Sequence, residues 1–332
     1  MTPPDRVPLS VLDLATVREG HSSADALRGT IDIARTADEL GYRRFWVAEH
    51  HNMPAVASTA PPVLIASVAA QTATIRVGSG GVMLPNHMPF VVAEQFALLE
   101  ALHPGRIDLG IGRAPGTDQA TAAALRGVSP YLTVEQFPDH LRTVLALLGD
   151  DRVDLGPAAR LRPTPVPETY PEVWMLGSST YGAQVAAALG LPFCSAYHFA
   201  TGTDVAAALQ LYRAGFQPSP RYPAPHAMVS VSVLAAGTTE EADYLAGPSR
   251  VMLQSLRTGR LGPIVSPERA AELGVDETFG GTQFIGTADE VVADLDALVE
   301  RTGVQELLLA GTVHDPATRQ DTLTRIAKAW GL

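Results

Sequence analysis

Short apolar runs alternate with longer amphipathic stretches along nearly the whole chain, the signature of strands and helices in regular succession. Val7–Leu14 reads as a first strand, and Ser23-Ala24-Asp25 opens a helix that runs to Leu40 and stops at Gly41. Phe45–Glu49 and Pro62–Thr72 form the second strand–helix pair, Ile75–Leu84 and Pro89–Leu102 the third, and Ile107–Ile111 the fourth strand. Val173–Leu176 is the fifth strand with a helix over Tyr181–Leu189, and Pro192–Tyr197 the sixth with a helix over Asp204–Ala214. Met228–Ala235 is the seventh strand, Leu307–Ala310 the eighth, and Asp315–Trp330 the closing helix. This order predicts an α/β fold, a (β/α)8 TIM barrel with residues 1–332 as a single domain. An open doubly wound sheet shares the local pattern.

Two stretches exceed ordinary connections and predict insertions after strand 4 and after strand 7. Residues 114–172 hold a helix over Val134–Leu148 and then Pro157, Pro163, Pro165, Pro167 and Pro171. Residues 238–286, with Gly259, Gly262, Pro263, Gly280 and Gly281, read as a movable cover. The helices Pro62–Ala70 and Val91–Leu102 are apolar over more than one face, which predicts burial beyond the barrel and hence a homodimer.

Composition narrows the function. A chain of 332 residues, 46% hydrophobic, can bury a large core, and a formal charge of −11 with no basic stripe argues against nucleic acid as a partner. Lys328 is the only lysine, which removes lysine as a Schiff-base or phosphate-loop candidate. Cys194 is the only cysteine, so no internal disulfide or thiolate metal cluster can form. The N-terminal residues lack the apolar core of a signal peptide, and no apolar run reaches the ~18 residues of a membrane span. These features predict a soluble, cytoplasmic protein without a membrane partner.

Candidate chemistry sits at the strand ends. Arg43-Arg44-Phe45-Trp46-Val47-Ala48-Glu49-His50-His51-Asn52 is a buried strand running into an acid and two histidines, and in a parallel barrel the carboxyl ends of strands carry the active site. Gly78-Ser79-Gly80-Gly81-Val82-Met83-Leu84-Pro85 places glycines inside a strand, where something approaches the backbone closely or the strand bulges. Gly110-Ile111-Gly112-Arg113-Ala114-Pro115-Gly116 lacks the dinucleotide-binding spacing; Arg113 at its tip serves either an anion or an ordinary ion pair. Leu176-Gly177-Ser178-Ser179-Thr180-Tyr181-Gly182 puts small hydroxyl residues at a helix start, as a plain cap or as a phosphate cradle. His50, His87, His198 and His314 all follow predicted strands, which opens a metal-hydrolase reading; no His-x-His or His-x-x-x-His pair supports it. By themselves, Met53, Met83, Met88 and Met252 read as packing residues.

Taken in order, these motifs resemble the bacterial luciferase-like flavin monooxygenases. The resemblance rests on Trp46 to His51, Val77 to Pro85, Glu94-Gln95 through Leu98-Leu99, Gly105-Arg106 through Arg113, and Gly177-Ser178-Ser179. Its nearest subgroup is of the MsnO8 type. It implies a barrel that binds reduced FMN at its carboxyl end, usually as a dimer. A separate NAD(P)H:flavin reductase supplies the FMNH2, and O2 reacts through a C4a-peroxyflavin to oxygenate a small-molecule substrate. His50 takes the place of the active-site histidine, and Gly80-Gly81 that of a non-prolyl cis peptide beneath the flavin ring. Met83, Gly177 and Ser179 join the cofactor set. Arg113, Ser178 and Tyr181 fall at phosphate-contacting positions. No metal is implied. One arginine expected on the helix after the fourth strand has no clear counterpart; Arg126 and Arg142 lie off the pattern. A deazaflavin (F420)-dependent hydride-transfer enzyme and a non-catalytic flavin-binding protein share the barrel and stay open.

Overall fold

Eight parallel strands close into a barrel: β1 (Leu9–Asp13), β2 (Arg44–Val47), β3 (Arg76–Met83), β4 (Ile107–Gly112), β5 (Glu172–Gly177), β6 (Phe193–Ala196), β7 (Ala227–Ala236) and, last in the chain, β9 (Glu306–Ala310). Each pairs with the next, and β9 closes the ring by pairing with both β7 and β1. The computed structural model describes residues 6–127, 132–155, 160–199, 204–274 and 283–332. Pro157, Gly280 and Gly281 lie outside these residues.

The helices around the barrel are α1 (Ser23–Glu39), α2 (Pro61–Ala69), α3 (Pro89–Leu102), α4 (Gln119–Arg126), α5 (Phe137–Leu147), α6 (Thr180–Leu189), α7 (Val205–Gly215), α8 (Thr239–Thr258), α9 (Pro267–Leu273), α10 (Ala288–Thr302) and α11 (Pro316–Trp330). Helix α1 starts where the sequence predicts: Ser22 and Asp25 form a reciprocal capping box. The stretch after the fourth strand holds two helices, α4 and α5, where one is predicted.

The larger departure is the stretch after β7. The sequence reading assigns no element there, whereas α8, with Pro248 inside it, and α9 are helices, and β8 (Gln283–Thr287) is a ninth strand. β7 is ten residues long, so it serves two neighbours in succession. Met228–Ser232 pairs with β9, and Ser232–Ala236 pairs with β8. β8 is short and has only Phe284 and Ile285 as large apolar residues, too weak a pattern to read alone. The helix starts carry capping residues that the sequence reading passed over. Thr287 and Glu290 form a capping box at α10, and Thr238 caps α8 by accepting from the Glu241 N–H.

Strand alternation sorts the core into two shells. Phe45 and Val47 face the helices, while Trp46 and Ala48 point into the barrel with Leu12, Trp174 and Met228. Below them, at the amino ends of the strands, lies a layer of charge. Arg44 Nη1 donates to Asp108 at 2.8 Å and to Glu172 at 2.9 Å, and its Nε donates to Glu306 at 3.0 Å. Its guanidinium also lies 4.9 Å from the Trp174 ring centre. The glycines of β3 and β4 let these strands press together. A Cβ on Gly78 would sit 2.5 Å from Asp108 Cβ, and one on Gly110 would collide with the Ser79 carbonyl.

Candidate active site

The second strand delivers Glu49, His50 and His51 to the open carboxyl end of the barrel. Glu49 is fully buried and its carboxylate is saturated. Oε1 accepts from His51 Nε2 and His87 Nε2, both at 2.8 Å, and Oε2 accepts from the Met83 backbone N–H at 2.9 Å. Burial alone would raise this carboxyl; the hydrogen bonds from His51 and His87, the electrostatic pull of His87 and the Met83 N–H outweigh it and hold Glu49 at about 2. Glu49 thus ties the end of β2 to the end of β3.

His50 is oriented by its neighbour. Its Nδ1 lies 2.6 Å from the Glu49 carbonyl, which can only accept, so Nδ1 carries the proton and Nε2 keeps its lone pair. Its backbone N–H donates to Ser58 at 3.0 Å. Burial lowers the His50 pKa below the ordinary 6.5, although the Glu49 carbonyl and charge act the other way. The chain after β4 packs against it: His51 N–H donates to the Gly116 carbonyl, and Thr117 donates to the His51 carbonyl. Gly116 has a positive φ of 64°, and a Cβ there would fall 2.7 Å from the Glu49 carbonyl, so only glycine fits.

On β3 the peptide bond between Gly80 and Gly81 is cis, as the resemblance implies. The pairing with β4 shifts by one residue between Gly80 and Val82. Side chains at these glycines would collide with Leu12, Trp46 and Leu176 inside the barrel. Met83 pairs with Gly112, so Arg113 emerges where β3 ends.

Arg113 and Tyr181 are brought together, the guanidinium 4.1 Å from the ring centre. Gly177 ends β5, and Ser178 and Ser179 lead into α6. Ser179 is the N-cap and its side chain makes no cap hydrogen bond; a helix start is where backbone N–H groups can meet an anion. Gly177 and Gly182 pack against one another; a Cβ on either would meet the other's Cα at 3.2 Å. Arg126, off the expected pattern, donates instead to Asn86 Oδ1 at 3.1 Å.

Sequence reasoning missed the setting of His198. His198 follows β6, with its Nδ1 2.6 Å from Ser230 Oγ, and that hydroxyl lies 3.2 Å from the Ser195 carbonyl. Burial, reinforced by the positive field of His50, brings His198 down to about 4. Its position after a strand was the available signal, but the sequence enlisted it only toward a metal. Among the described residues, no three His, Cys, Asp or Glu side chains are grouped as a metal site requires. Likewise, no helix among them is long and apolar enough to cross a membrane.

Comparison with known proteins follows the same order of elements. The family model for luciferase-like monooxygenase matches residues 7–306. A luciferase-like monooxygenase of Escherichia coli K12 is 41% identical over 322 residues, covering 94% of each chain. The N-acetyl-S-alkylcysteine monooxygenase of Bacillus subtilis 168 is 37% identical over 321 residues, 96% of this chain and 88% of that one. The crystal structure of apo-MsnO8 superposes with a TM-score of 0.91 at 36% identity, covering 98% of this chain and 99% of the other.

Proposed function

The chain belongs to the luciferase-like monooxygenase family, and on that premise we propose that it is the oxygenating component of a two-component system. It takes reduced FMN from a separate NAD(P)H:flavin reductase and transfers one oxygen atom from O2 to a small organic substrate. The carrying observation is the pairing of Arg113 with Tyr181 at the start of α6: Arg113 follows β4, the neighbour of β3 with its Gly80-Gly81 segment, and His50 follows β2 on the other side of β3. That arrangement fits a phosphorylated flavin. Arg113 and the α6 N–H groups hold the phosphate, and the β3 glycines and Met83 border the ring. FMN, when bound reduced, supplies the electrons and the reaction with O2. His50 holds or moves a proton at Nε2, and Glu49 keeps the tips of β2 and β3 in register around it.

Titrating the purified protein with FMN, FMNH2 and F420, and following oxygen uptake, tests this reading. Tight FMNH2 binding with oxygen consumption is expected. Preference for F420 without oxygen uptake would replace the reading with hydride transfer, and tight FMN retention without any turnover would replace it with flavin binding. N-acetyl-S-alkylcysteines belong in the first substrate panel.

The phosphate assignment makes its own prediction. Ser178→Asp places a negative charge at the start of α6 and should weaken FMN binding by about tenfold or more, the worth of a hydrogen bond to a charged group. Riboflavin, which lacks the phosphate, should lose little. Equal losses for both ligands in fluorescence titration would contradict a phosphate role.

We also propose a homodimer through α2 and α3, which pack side by side. Val63 on α2 is 73% exposed and Leu102 on α3 60% exposed, and Val91 and Leu98, also on α3, are nearly half exposed. Such a patch is costly to leave in water. Light scattering at micromolar concentration should give twice the monomer mass, and Val63→Glu with Leu102→Glu should reduce it. A monomer mass for the unmodified protein would rule this out.

A further inference from the structure

Away from the flavin-binding residues, the end of α8, the 260–265 segment and the Met53–Ala55 loop enclose a cavity of about 210 Å³. Its lining does not include His50, Gly80, Gly81 or Arg113. Three of its lining residues, Leu256, Leu261 and Leu273, are each 40% or more exposed. A single exposed leucine means little, but three around one cavity make an apolar opening. Ala55 and Ile264 are buried within it, and Met53 and Met252 pack against them.

The wall is anchored to the barrel. Ile264 N–H donates to the Val17 carbonyl, and Glu19 N–H donates to the Ile264 carbonyl, both at 2.9 Å. The 260–265 segment is therefore held against the loop after β1, and the cavity is preformed. Methionine at two positions lets it adapt to the shape of a guest. Met53 is only three residues beyond His50, and at ~3.6 Å per extended residue their Cα atoms lie within about 11 Å. A molecule seated against Met53 therefore lies beside the candidate active site.

Among the described residues of the lining, Arg260 is the only charged side chain, and Ser255 is the only other side chain that can hydrogen-bond well. Arg260 is exposed, whereas Ala55 and Ile264 lie deep. We propose that this cavity binds a small organic anion, with its acid group on Arg260 and its aliphatic body among Met53, Met252 and Ile264. For its catalytic meaning this rests on the flavin reading: the molecule bound here is the substrate, or the anchoring part of it. A cavity of about 150 Å³ accepts one benzene, so 210 Å³ leaves room for roughly eight carbons.

Calorimetric titration of the full chain with octanoate, octan-1-ol and octylammonium tests the assignment, with FMN titrated in parallel. Octanoate should bind, and octylammonium should bind at least about tenfold more weakly. Arg260→Gln, at an exposed position that does not threaten folding, should weaken octanoate about tenfold and bring it level with octan-1-ol. Met252→Trp, which fills the cavity, should abolish octanoate binding and leave FMN affinity within about twofold. The proposal is overturned if octanoate fails to bind protein that binds FMN, if octylammonium binds equally well, or if neither substitution changes octanoate affinity. Octanoate binding that responds to Arg260→Gln in protein that does not bind FMN would uphold the cavity assignment and overturn the flavin reading.

Discussion

His50→Ala is expected to lower coupled oxygenation by about 10²–10⁴-fold, the usual contribution of one positioned proton-handling group. FMN affinity should stay within a few-fold, because the phosphate is assigned to Arg113 and the start of α6. Oxygen uptake should continue, with the product shifting from oxygenated substrate to H2O2. His50 suits this role because its Nδ1 proton is committed to the Glu49 carbonyl, which leaves Nε2 to accept a proton. Burial, the largest influence, keeps its pKa below 6.5, so the imidazole is neutral at pH 7. The sign of the pH dependence follows. Below pH 6.5 the unfolded histidine takes up a proton before the folded one, so His50 adds no stability above that pH and costs stability as pH falls below it. His198, held at about 4, acts in the same direction. Coupled turnover should therefore fall on the acid side as His50 protonates, and the residual rate of His50→Ala should lack that limb. Full coupled turnover in His50→Ala, or loss of a stoichiometric metal with it in elemental analysis, would sink the assignment and reopen a metal site.

The largest stability loss is expected from Arg44→Met. Arg44 is 1% exposed and sits between Asp108, Glu172 and Glu306, of which Asp108 and Glu306 are fully buried. Burial opposes its charge, but the three carboxylates raise its pKa and keep it ionised. Methionine keeps much of the volume and removes the charge, which leaves two buried carboxylates short of a partner. Breaking a buried ion pair on one side typically costs about 3–5 kcal/mol. Arg76, which also bonds Asp108, limits the damage on that side, so Glu306 should suffer most. The denaturation midpoint of Arg44→Met in urea should fall accordingly, and Arg44→Met with Glu306→Gln should recover part of the loss. A single-variant shift below about 1 kcal/mol would mean that water already screens this layer.

Much of the site was legible because it is local. Apolar runs of strand length alternating with helical periodicity report which face of an element is buried, and that was enough to read alternating strands and helices; ring closure, which separates a barrel from an open doubly wound sheet, came with the tertiary structure. The tip of the second strand announced Glu49 and His50, because an acid and a histidine directly after a buried run must emerge at the strand's end. Paired glycines in the third strand announced the Gly80-Gly81 segment, and Ser178-Ser179 before Tyr181 announced the start of a helix. The same local signals failed after the seventh strand, where many glycines and prolines hid two capped helices.

What only the tertiary structure decided are the contacts between elements far apart in the chain. Nothing in the sequence gives Arg44 a partner; ring closure brings it to Glu172 and Glu306, which lie 128 and 262 residues away. Glu49 reads as a companion of His50, yet its carboxylate clamps His51, His87 and the β3 backbone. His198 acquires its setting from Ser230, and β8 exists because β7 has a free upper edge. Sequence periodicity fixes which side of each element faces the core. It carries no information about which polar groups meet once eight strands close, and those meetings set the burial and charge that govern the chemistry.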